Sequence, residues 1–449
     1  MMRKNDEIKL TIHDLHANGH GIGKRDIAVF VPDALPGDQL WVKILKVKKR
    51  YAYGKILEII EPSPYRLSKN DARICPVAER CGGCQFQHFD YNAQLSFKKK
   101  LVSDALIRIG DCKSPPVSTV LGMDNPYCYR NKAQFPAGPQ GMGFYAPRSH
   151  RIIPITDCNI QLCGEVFRAV QDILGQYPIP VYDEETHCGL LRHVVIRVSE
   201  NTKEVMIIFV LNGNTLPYVE EIKTNLPFTL IVNENTAKTN VILGPKFTTL
   251  QGSGYIHEEI GHIRYRISPR AFFQINTAQT KVLYDIIKSH LNGGEKVIDA
   301  YSGIGGIALY IAGKVHEVIG IESVPEAVED GVHNADLNGI KNAKFLCGLA
   351  EEVLPDLLNQ DVDVLVLDPP RKGCDRKLLD AAIAAKIPKI IYVSCDPATL
   401  ARDVKQLTSE GYRLDFVQPV DLFPMTGHIE TVCVLINRKF TIKNHNTHM

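Results

Sequence analysis

Three closely spaced cysteines could hold a metal centre. Cys75, Cys81 and Cys84 lie within ten residues, and the two glycines before Cys84 would let the backbone turn tightly around a bound group. A fourth ligand must come from elsewhere, with Cys158 as the best candidate and Cys163 as the alternative. Four thiolates fit either an iron–sulfur cluster or zinc, and the spacing by itself does not separate the two.

Another cysteine stands where a nucleophile would be useful. Cys395 follows the apolar run KIIYVS, and Pro397 then starts a predicted helix. Cys395 therefore lies at the carboxyl end of a predicted strand, where open parallel sheets bind their ligands. A single buried cysteine is more often a small apolar filler. Its position nevertheless favours chemistry, because a thiolate is the strongest ordinary side-chain nucleophile.

Glycines and acids follow other predicted strands. Gly303 and Gly305 would let the backbone approach a cofactor at a helix start, and Glu322 is placed to bind ribose hydroxyls. The glycine pattern also fits dinucleotide binding loosely, so it is weak evidence when taken alone. Asp299 before the glycines and the Asp-Pro-Pro sequence that begins at Asp368 resemble class I methyltransferases, and this favours S-adenosylmethionine.

The elements that must position these residues are strands alternating with helices from about residue 277. The apolar strands are KVIDAY, EVIGIE, VDVLVLD and KIIYVSC. Such strands predict an α/β fold with a parallel sheet covered on both faces. We predict a Rossmann-like catalytic domain over residues 266–449. A central α+β domain over 63–265 precedes it, and its helix at 94–109 could pack on the catalytic domain.

The first part of the chain, residues 1–62, contains short strands separated by turns, which predicts an OB-like β-barrel. Its candidate RNA-binding cluster comprises the basic residues Lys43, Lys46, Lys48, Lys49 and Arg50, followed by Tyr51 and Tyr53. Basic residues beside aromatic rings suit single-stranded nucleic acid, because the charges follow the phosphates and the rings stack on bases. The other interpretation is a solvated edge strand that lysines protect from pairing.

Composition narrows the class of protein. The 449 residues carry a net charge of +2, with 45% hydrophobic and 23% charged residues, which excludes a disordered or collagen-like chain. Residues 1–150 hold 23 basic and 14 acidic residues, which indicates a polyanionic partner. Without a long apolar run or a secretory signal, we expect a cytoplasmic protein with no membrane partner. Twelve cysteines in that compartment favour metal binding and catalysis over disulfides.

In combination these motifs resemble a known family, the bacterial 23S rRNA (uracil-5-)-methyltransferases that carry an N-terminal TRAM domain and a [4Fe–4S] cluster. The resemblance covers nearly the whole chain. Besides the cysteines, the matching motifs are FFQIN at 272–276, DAYSGIGG at 299–306, DPPRKG at 368–373, SCDP at 394–397 and HIET at 428–431.

The resemblance implies methyl transfer from S-adenosylmethionine to carbon 5 of a uridine. Carbon 5 of uracil attacks a methyl sulfonium too weakly by itself, whereas a thiolate added to carbon 6 creates a nucleophilic enolate. The resemblance assigns that thiolate to Cys395 and removal of the carbon 5 proton to Glu430. The residues it places around the cofactor and uracil are Gln274, Tyr301, Glu322 and Asp368.

The resemblance also favours iron over zinc, by analogy. The cluster ligands it implies are Cys75, Cys81, Cys84 and Cys158. Arg130 and Lys132 are implied contacts to 23S rRNA, and Arg148 and His150 are weaker candidates. Gly306 stands where some members have a polar residue that touches the cofactor. No obligate protein partner is implied.

Other functions fit parts of the sequence. The closest alternative is the same reaction on the T-loop uridine of tRNA, since related enzymes with a barrel and a cluster act there. A nucleotide-dependent oxidoreductase would use the cluster for electron transfer, but Asp299 and the Asp-Pro-Pro sequence argue against it. An inactive RNA-binding module is a poor fit, because Cys395, Asp368 and Glu430 are all present.

Overall fold

The computed structural model describes residues 2–358 and 361–441. Its first element is a closed barrel of five strands, in the order β1-β2-β3-β5-β4. The strands are β1 (Glu7–Leu15), β2 (His20–Lys24), β3 (Ala28–Pro32), β4 (Gln39–Val47) and β5 (Tyr51–Glu61). Alternate side chains of β1, among them Ile8, Leu10 and Ile12, are buried in the barrel core. This period of two closes an apolar interior, and the predicted barrel is confirmed.

The chain that leaves the barrel is tied back to it by one carboxylate. Asp38 is fully buried and accepts a hydrogen bond from the Ser63 amide at 2.7 Å. Arg66 forms an ion pair with the same carboxylate. Burial raises the pKa of Asp38, but these partners outweigh it and leave the pKa lowered. The junction between the barrel and the central region is therefore a fixed connection.

The central region is built on a seven-stranded sheet in the order β12-β11-β10-β9-β6-β7-β8. Its elements are α1 (Tyr91–Arg108), β6 (Lys132–Gly138), β7 (Gly141–Tyr145), β8 (Ile152–Pro154), α2 (Gly164–Gln176), β9 (Leu191–Val198), β10 (Val205–Leu211), α3 (Val219–Asn225), β11 (Thr229–Glu234) and β12 (Lys246–Gln251). The pair β9 and β10 forms the core of this sheet, and every side chain of β10 is buried.

Helix α1 begins at Tyr91 rather than at residue 94. The start is set by Asp90, whose side chain accepts a hydrogen bond from the Ala93 amide at 3.1 Å. The helix leaves the central sheet and packs against a helix of the C-terminal part, α9 (Pro397–Ser409). It buries two polar side chains, Gln94 and Lys98, at the spacing of one helix face.

The C-terminal part is a second seven-stranded sheet, β17-β16-β15-β18-β19-β21-β20. Its elements besides α9 are β13 (Ile256–Ile260), β14 (Ile263–Ile267), α4 (Thr277–Ser289), β15 (Lys296–Ala300), α5 (Gly306–Ala312), β16 (Glu317–Glu322), α6 (Pro325–Leu337), β17 (Ala343–Cys347), α7 (Ala350–Leu357), β18 (Val364–Leu367), α8 (Arg376–Ala384), β19 (Lys389–Ser394), β20 (Tyr412–Val420), β21 (Glu430–Asn437) and α10 (Arg438–Thr441). Strands β15–β19 pair in parallel, while β21 is antiparallel to β19 and β20. The predicted parallel α/β sheet is confirmed.

The hairpin of β13 and β14 belongs to the C-terminal core. Tyr265 is fully buried in one cluster with Leu283 of α4 and Ile307 of α5. The predicted domain boundary after residue 265 therefore falls inside β14, because the hairpin's apolar face packs on this sheet and its helices. Among the described residues, no helix is both long and apolar enough to cross a membrane.

Candidate active site and cysteine cavity

A cavity of about 420 Å³ opens where the strand order reverses, between β15 and β18. Open parallel sheets bind their ligands at this point. The predicted cofactor residues that line it are Gln274, Tyr301, Gly303, Glu322 and Asp368. Gly305 does not line the cavity. Its φ of +86° and the close approach of Phe345 show that glycine is needed there for the turn and for packing.

Glu322 shapes the glycine loop. One of its carboxylate oxygens accepts a hydrogen bond from the Gly303 amide at 3.0 Å, and the other accepts from the Val324 amide at 2.8 Å. A side chain on Gly303 would meet no neighbouring atom within 4 Å, which leaves the loop open toward the cavity. Glu322 thus holds the loop from the end of the next strand, at the position expected for ribose binding.

Two buried carboxyl groups determine which ligand charge this cavity favours. Asp299 is 1% exposed; one oxygen accepts from the Ala308 amide at 3.0 Å and the other has no partner among the described residues. Burial and nearby Asp368 raise the pKa of Asp299 to about 8, and burial raises that of Asp368 to about 7. A bound cation would restore both charges, so the site favours a cationic ligand.

Cys395 and Glu430 lie beside this cavity, at the ends of adjacent strands. Cys395 follows β19 and Glu430 begins β21, and the two strands are paired through Ser394 and Thr431. Burial and then the Glu430 carboxyl raise the pKa of Cys395 to about 11. Burial and Asp368 raise the pKa of Glu430 well above its usual value. Cys395 is therefore a neutral thiol in the resting site at neutral pH, and the proton of Glu430 is held more tightly than that of a surface carboxyl.

Arg371 supplies a positive charge beside Cys395 and Glu430. It opposes the upward pKa shifts of both Cys395 and Glu430, which places its positive charge near the thiol and the carboxyl. Arg371 follows the Asp-Pro-Pro sequence after β18. Four chemically complementary groups, Asp368, Arg371, Cys395 and Glu430, are thus brought together by three strand ends. Sequence reasoning included Arg371 in a motif but assigned it no role.

The loop before Glu430 is held by the other regions of the molecule. The amides of Gln85 and Phe86, next to Cys84, both donate to the Met425 carbonyl at 3.0 Å. Lys98 of α1 forms a fully buried ion pair with Asp421 at 2.6 Å. The active site is therefore completed by the cysteine-bearing segment as well as by the sheet.

The barrel reaches the same loop. A side chain on Gly427 would lie 2.0 Å from the Ala17 carbonyl, so the β1–β2 turn of the barrel packs directly on the residue before His428. On the neighbouring barrel face, the rings of Phe30, Tyr51 and Tyr53 lie within 6 Å of one another. Sequence reasoning missed Phe30, although its alternation within β3 places it on the same face as the two tyrosines.

The four predicted cluster ligands line one cavity of about 200 Å³: Cys75, Cys81, Cys84 and Cys158. Cys163, the alternative ligand, is instead buried in the core of the central sheet. Burial raises the pKa of Cys84 to about 11 and that of Cys158 to about 12. No three histidine, cysteine or acidic side chains in residues 2–358 and 361–441 are arranged to hold a single metal ion. Four half-buried cysteines nevertheless share this one cavity.

The predicted RNA contacts fall into two environments. Lys48, Lys49 and Arg50 are exposed on the turn between β4 and β5. Arg130 lines the cysteine cavity, with a buried Nε that has no partner among the described residues. Lys132 is partly buried, and burial followed by nearby Arg197 lowers its pKa to about 7. The structure does not bring Arg130 and Lys132 to an open surface.

Comparison with known proteins agrees with this geometry. The family described as tRNA (uracil-5-)-methyltransferase matches residues 253–439, and the TRAM domain family matches residues 3–57. An uncharacterized RNA methyltransferase of Halalkalibacterium halodurans is 47% identical over 97% of this chain and 98% of its own length. The chain belongs to the RNA (uracil-5-)-methyltransferases. A second uncharacterized RNA methyltransferase, from Bacillus cereus, is 46% identical over the same shares.

A solved structure supports S-adenosylmethionine as the cofactor of this methyltransferase. The tRNA (uracil-54, C5)-methyltransferase of Pyrococcus abyssi, in complex with S-adenosyl-L-homocysteine, superposes with a TM-score of 0.79 at 28% identity, covering 96% of this chain and 100% of its own. The protein is therefore an S-adenosylmethionine-dependent enzyme that methylates carbon 5 of uracil in RNA, on a Rossmann-like sheet preceded by a TRAM barrel.

Proposed function

We propose that this methyltransferase modifies uridine in 23S rRNA through a covalent bond between Cys395 and carbon 6 of uracil. The proposal rests on one arrangement above all. The thiol of Cys395, the carboxyls of Asp368 and Glu430 and the guanidinium of Arg371 meet beside the cofactor cavity. A nucleophile and a base flanking a methyl donor are what carbon 5 methylation requires.

The steps balance with these groups, the methyl donor and water. The Cys395 thiol gives up its proton to water, and its sulfur adds to carbon 6, so the ring becomes an enolate. Carbon 5 then takes the methyl group, and the sulfonium donor leaves as S-adenosylhomocysteine. A base removes the carbon 5 proton, the carbon 6–sulfur bond breaks, and the thiolate is released.

Arg371 and Glu430 have different roles in this scheme: Arg371 stabilises the thiolate, and Glu430 acts as the base. Because Arg371 lowers the pKa of Cys395 against the effects of burial and of Glu430, it favours the thiolate that attacks carbon 6. Burial makes Glu430 a stronger base than a surface carboxylate, since its pKa is raised. As the carboxylate, Glu430 can therefore accept the carbon 5 proton from the methylated ring.

A trapping experiment tests the covalent step. In RNA transcribed with 5-fluorouridine, carbon 5 carries a fluorine that no base can remove as a proton, so the adduct accumulates. We expect a slowly migrating RNA–protein band on a denaturing gel with 23S rRNA and wild-type enzyme, and none with Cys395→Ala. A band of equal strength with Cys395→Ala would overturn the role of this cysteine.

The choice of 23S rRNA over tRNA is supported by the motif resemblance, which joins the barrel, the four cysteines and the catalytic motifs in one chain. Transfer RNA is the second candidate, because the Pyrococcus abyssi enzyme of similar structure is a tRNA (uracil-54, C5)-methyltransferase. Mass spectrometry of purified 23S rRNA and tRNA from a strain lacking the gene tests the choice. We expect 5-methyluridine to disappear from 23S rRNA; its loss from tRNA alone would establish the alternative.

We also propose that Cys75, Cys81, Cys84 and Cys158 hold a [4Fe–4S] cluster. All four thiols line one cavity, and the resemblance to enzymes that carry a [4Fe–4S] cluster favours that cluster over one tetrahedral zinc. Its role in this proposal is structural, since the methyl transfer has no electron-transfer step. A colourless protein containing one zinc per chain would overturn the assignment.

A further inference from the structure

One tyrosine hydroxyl in the cofactor cavity has no assigned role. Tyr284 lies on α4, is 4% exposed and lines the cavity together with Asp299 and Gly306. No hydrogen bond joins its hydroxyl to another residue in the described part of the chain, whereas the neighbouring Tyr310 donates to Asp285 at 2.6 Å. The hydroxyl oxygen itself is not enclosed by protein atoms, so it opens onto the cavity. Tyr284 therefore has an unused donor aimed into the site.

Gly306 is shaped around this hydroxyl. A Cβ built on Gly306 would lie 2.5 Å from the Tyr284 hydroxyl oxygen, but 3.5 Å from the ring carbon that carries it. The backbone cannot easily retreat, because the fully buried Tyr265 donates a hydrogen bond to the Gly306 carbonyl at 2.8 Å. The glycine is thus required by the oxygen atom of Tyr284 and not by its ring.

The neighbours of Tyr284 indicate which part of the cofactor it meets. Glu322, on the strand end assigned to the ribose, holds the far side of the glycine loop. Tyr284 instead lies near Asp368 and Asp299. Burial raises the pKa of Tyr284 most, and these two acids raise it further. The hydroxyl therefore stays protonated and acts as a donor. The amino-acid end of S-adenosylmethionine carries an ammonium group, which can donate a hydrogen bond to the free Asp299 oxygen. It also carries a carboxylate, which needs a hydrogen-bond donor.

We propose that the Tyr284 hydroxyl donates a hydrogen bond to the carboxylate at the amino-acid end of S-adenosylmethionine, and that Gly306 is present to admit it. The residue takes over the polar contact that a side chain at position 306 would otherwise make. Tyr284 is therefore a cofactor-binding residue that belongs to a different element, α4, from the glycine loop.

The test compares two ligands that differ only at the proposed contact. S-adenosylhomocysteine has the amino-acid end, whereas 5′-methylthioadenosine lacks it. For Tyr284→Phe we expect the dissociation constant for S-adenosylhomocysteine to rise by about tenfold, as for loss of one hydrogen bond to a charged group, while that for methylthioadenosine changes by less than about twofold. Equal weakening for both ligands, or none for either, would overturn the proposal.

Two further variants separate binding from damage to the fold. Tyr310→Phe removes the adjacent hydroxyl outside the cavity and should leave both dissociation constants unchanged. Gly306→Ala should weaken S-adenosylhomocysteine binding, because its methyl group would displace the Tyr284 oxygen. In the Tyr284→Phe background the same alanine has room, so the double variant should bind no more weakly than Tyr284→Phe. Additive losses would contradict the pairing of Tyr284 with Gly306.

Discussion

The two cavities of this methyltransferase are built in different ways. The cofactor cavity lies at the ends of β15, β16 and β18, whose positions are fixed by the hydrogen bonds of one sheet. The cysteine cavity is formed by turns, with Cys75, Cys81, Cys84 and Cys158 all outside regular strands and helices. The first cavity has its shape before a ligand arrives. The second has no such framework, and under the proposed assignment the cluster joins its turns.

Both cavities nevertheless contain groups whose neutral form is favoured, because burial raises their pKa. Burial raises the pKa of Asp299 to about 8 and that of Cys158 to about 12. The carboxyls would pair with an organic cation, and under the proposed cluster assignment the thiols would bind a metal centre. The comparison therefore predicts that replacing a catalytic residue at the strand ends leaves the fold and the cofactor site intact. Replacing one of the four cysteines should instead change the structure around their cavity.

The largest effect is expected from Cys395→Ala. Loss of the nucleophile should lower methyl transfer at least about 1,000-fold, while S-adenosylmethionine binding stays within about twofold of wild type, because Cys395 does not line the cofactor cavity. Radiolabelled methyl transfer and calorimetry measure the two quantities. Cys347→Ala, at the exposed end of β17, is the matched control and should be fully active. Retained activity in Cys395→Ala would remove the proposed mechanism.

Glu430→Gln should have the second largest effect. Turnover should fall by about 100- to 1,000-fold, as for loss of a general base, and the methylated RNA should remain attached to Cys395. Denaturing gels under single-turnover conditions detect this adduct. Glu329→Gln, an exposed change on α6, serves as control. If Glu430→Gln stops methyl transfer without any adduct, Glu430 acts before carbon 5 is methylated.

Cofactor affinity should depend on pH. Asp299 must ionise to pair with the cation, and its pKa of about 8 in the free enzyme is raised by burial and then by Asp368, with Glu322 contributing. Protons therefore compete with the cofactor, so affinity should be constant above pH 8 and fall by about tenfold per unit below it. Calorimetry in buffers of different ionisation enthalpy should show proton release. Affinity independent of pH between 6 and 9 would contradict this linkage.

The smallest effect is expected at the cysteine cavity, where a substitution should lower the metal content several-fold. In Cys84→Ser, bound iron and visible absorbance should fall several-fold, and the melting temperature should fall with them, because the turns lose the group that joins them. The exposed Cys188→Ser is the control and should keep both. The segment after Cys84 holds Met425, so protection of residues 421–428 from hydrogen exchange should also decrease. Unchanged iron would exclude Cys84 as a ligand.

Local sequence patterns predicted much of this architecture. Alternating apolar residues identified the barrel, and apolar runs separated by helices identified the parallel sheet. The rule that ligands bind at strand ends then directed attention to Gly303, Glu322 and Asp368, which all line the cofactor cavity. The roles of Cys395 and Glu430 came from the resemblance, because neither residue type at a strand end specifies a reaction by itself.

What local patterns could not supply were contacts between distant segments. The boundary after residue 265 was misplaced because the apolar face of β14 does not reveal which sheet it covers. The pairing of Lys98 with Asp421 and the packing of Gly427 on Ala17 join residues that are hundreds of positions apart. Periodicity records which face of an element is buried, but not the partner that buries it.

The sequence by itself therefore determined the elements, their order and the residue types at the strand ends, since these follow from backbone geometry and short-range patterns. Only the tertiary structure decided that Cys158 rather than Cys163 faces the other three thiols, and that Tyr284 stands over Gly306. The reason is physical: burial, pKa and the match between a donor and a ligand depend on side chains that meet only after the whole chain has folded.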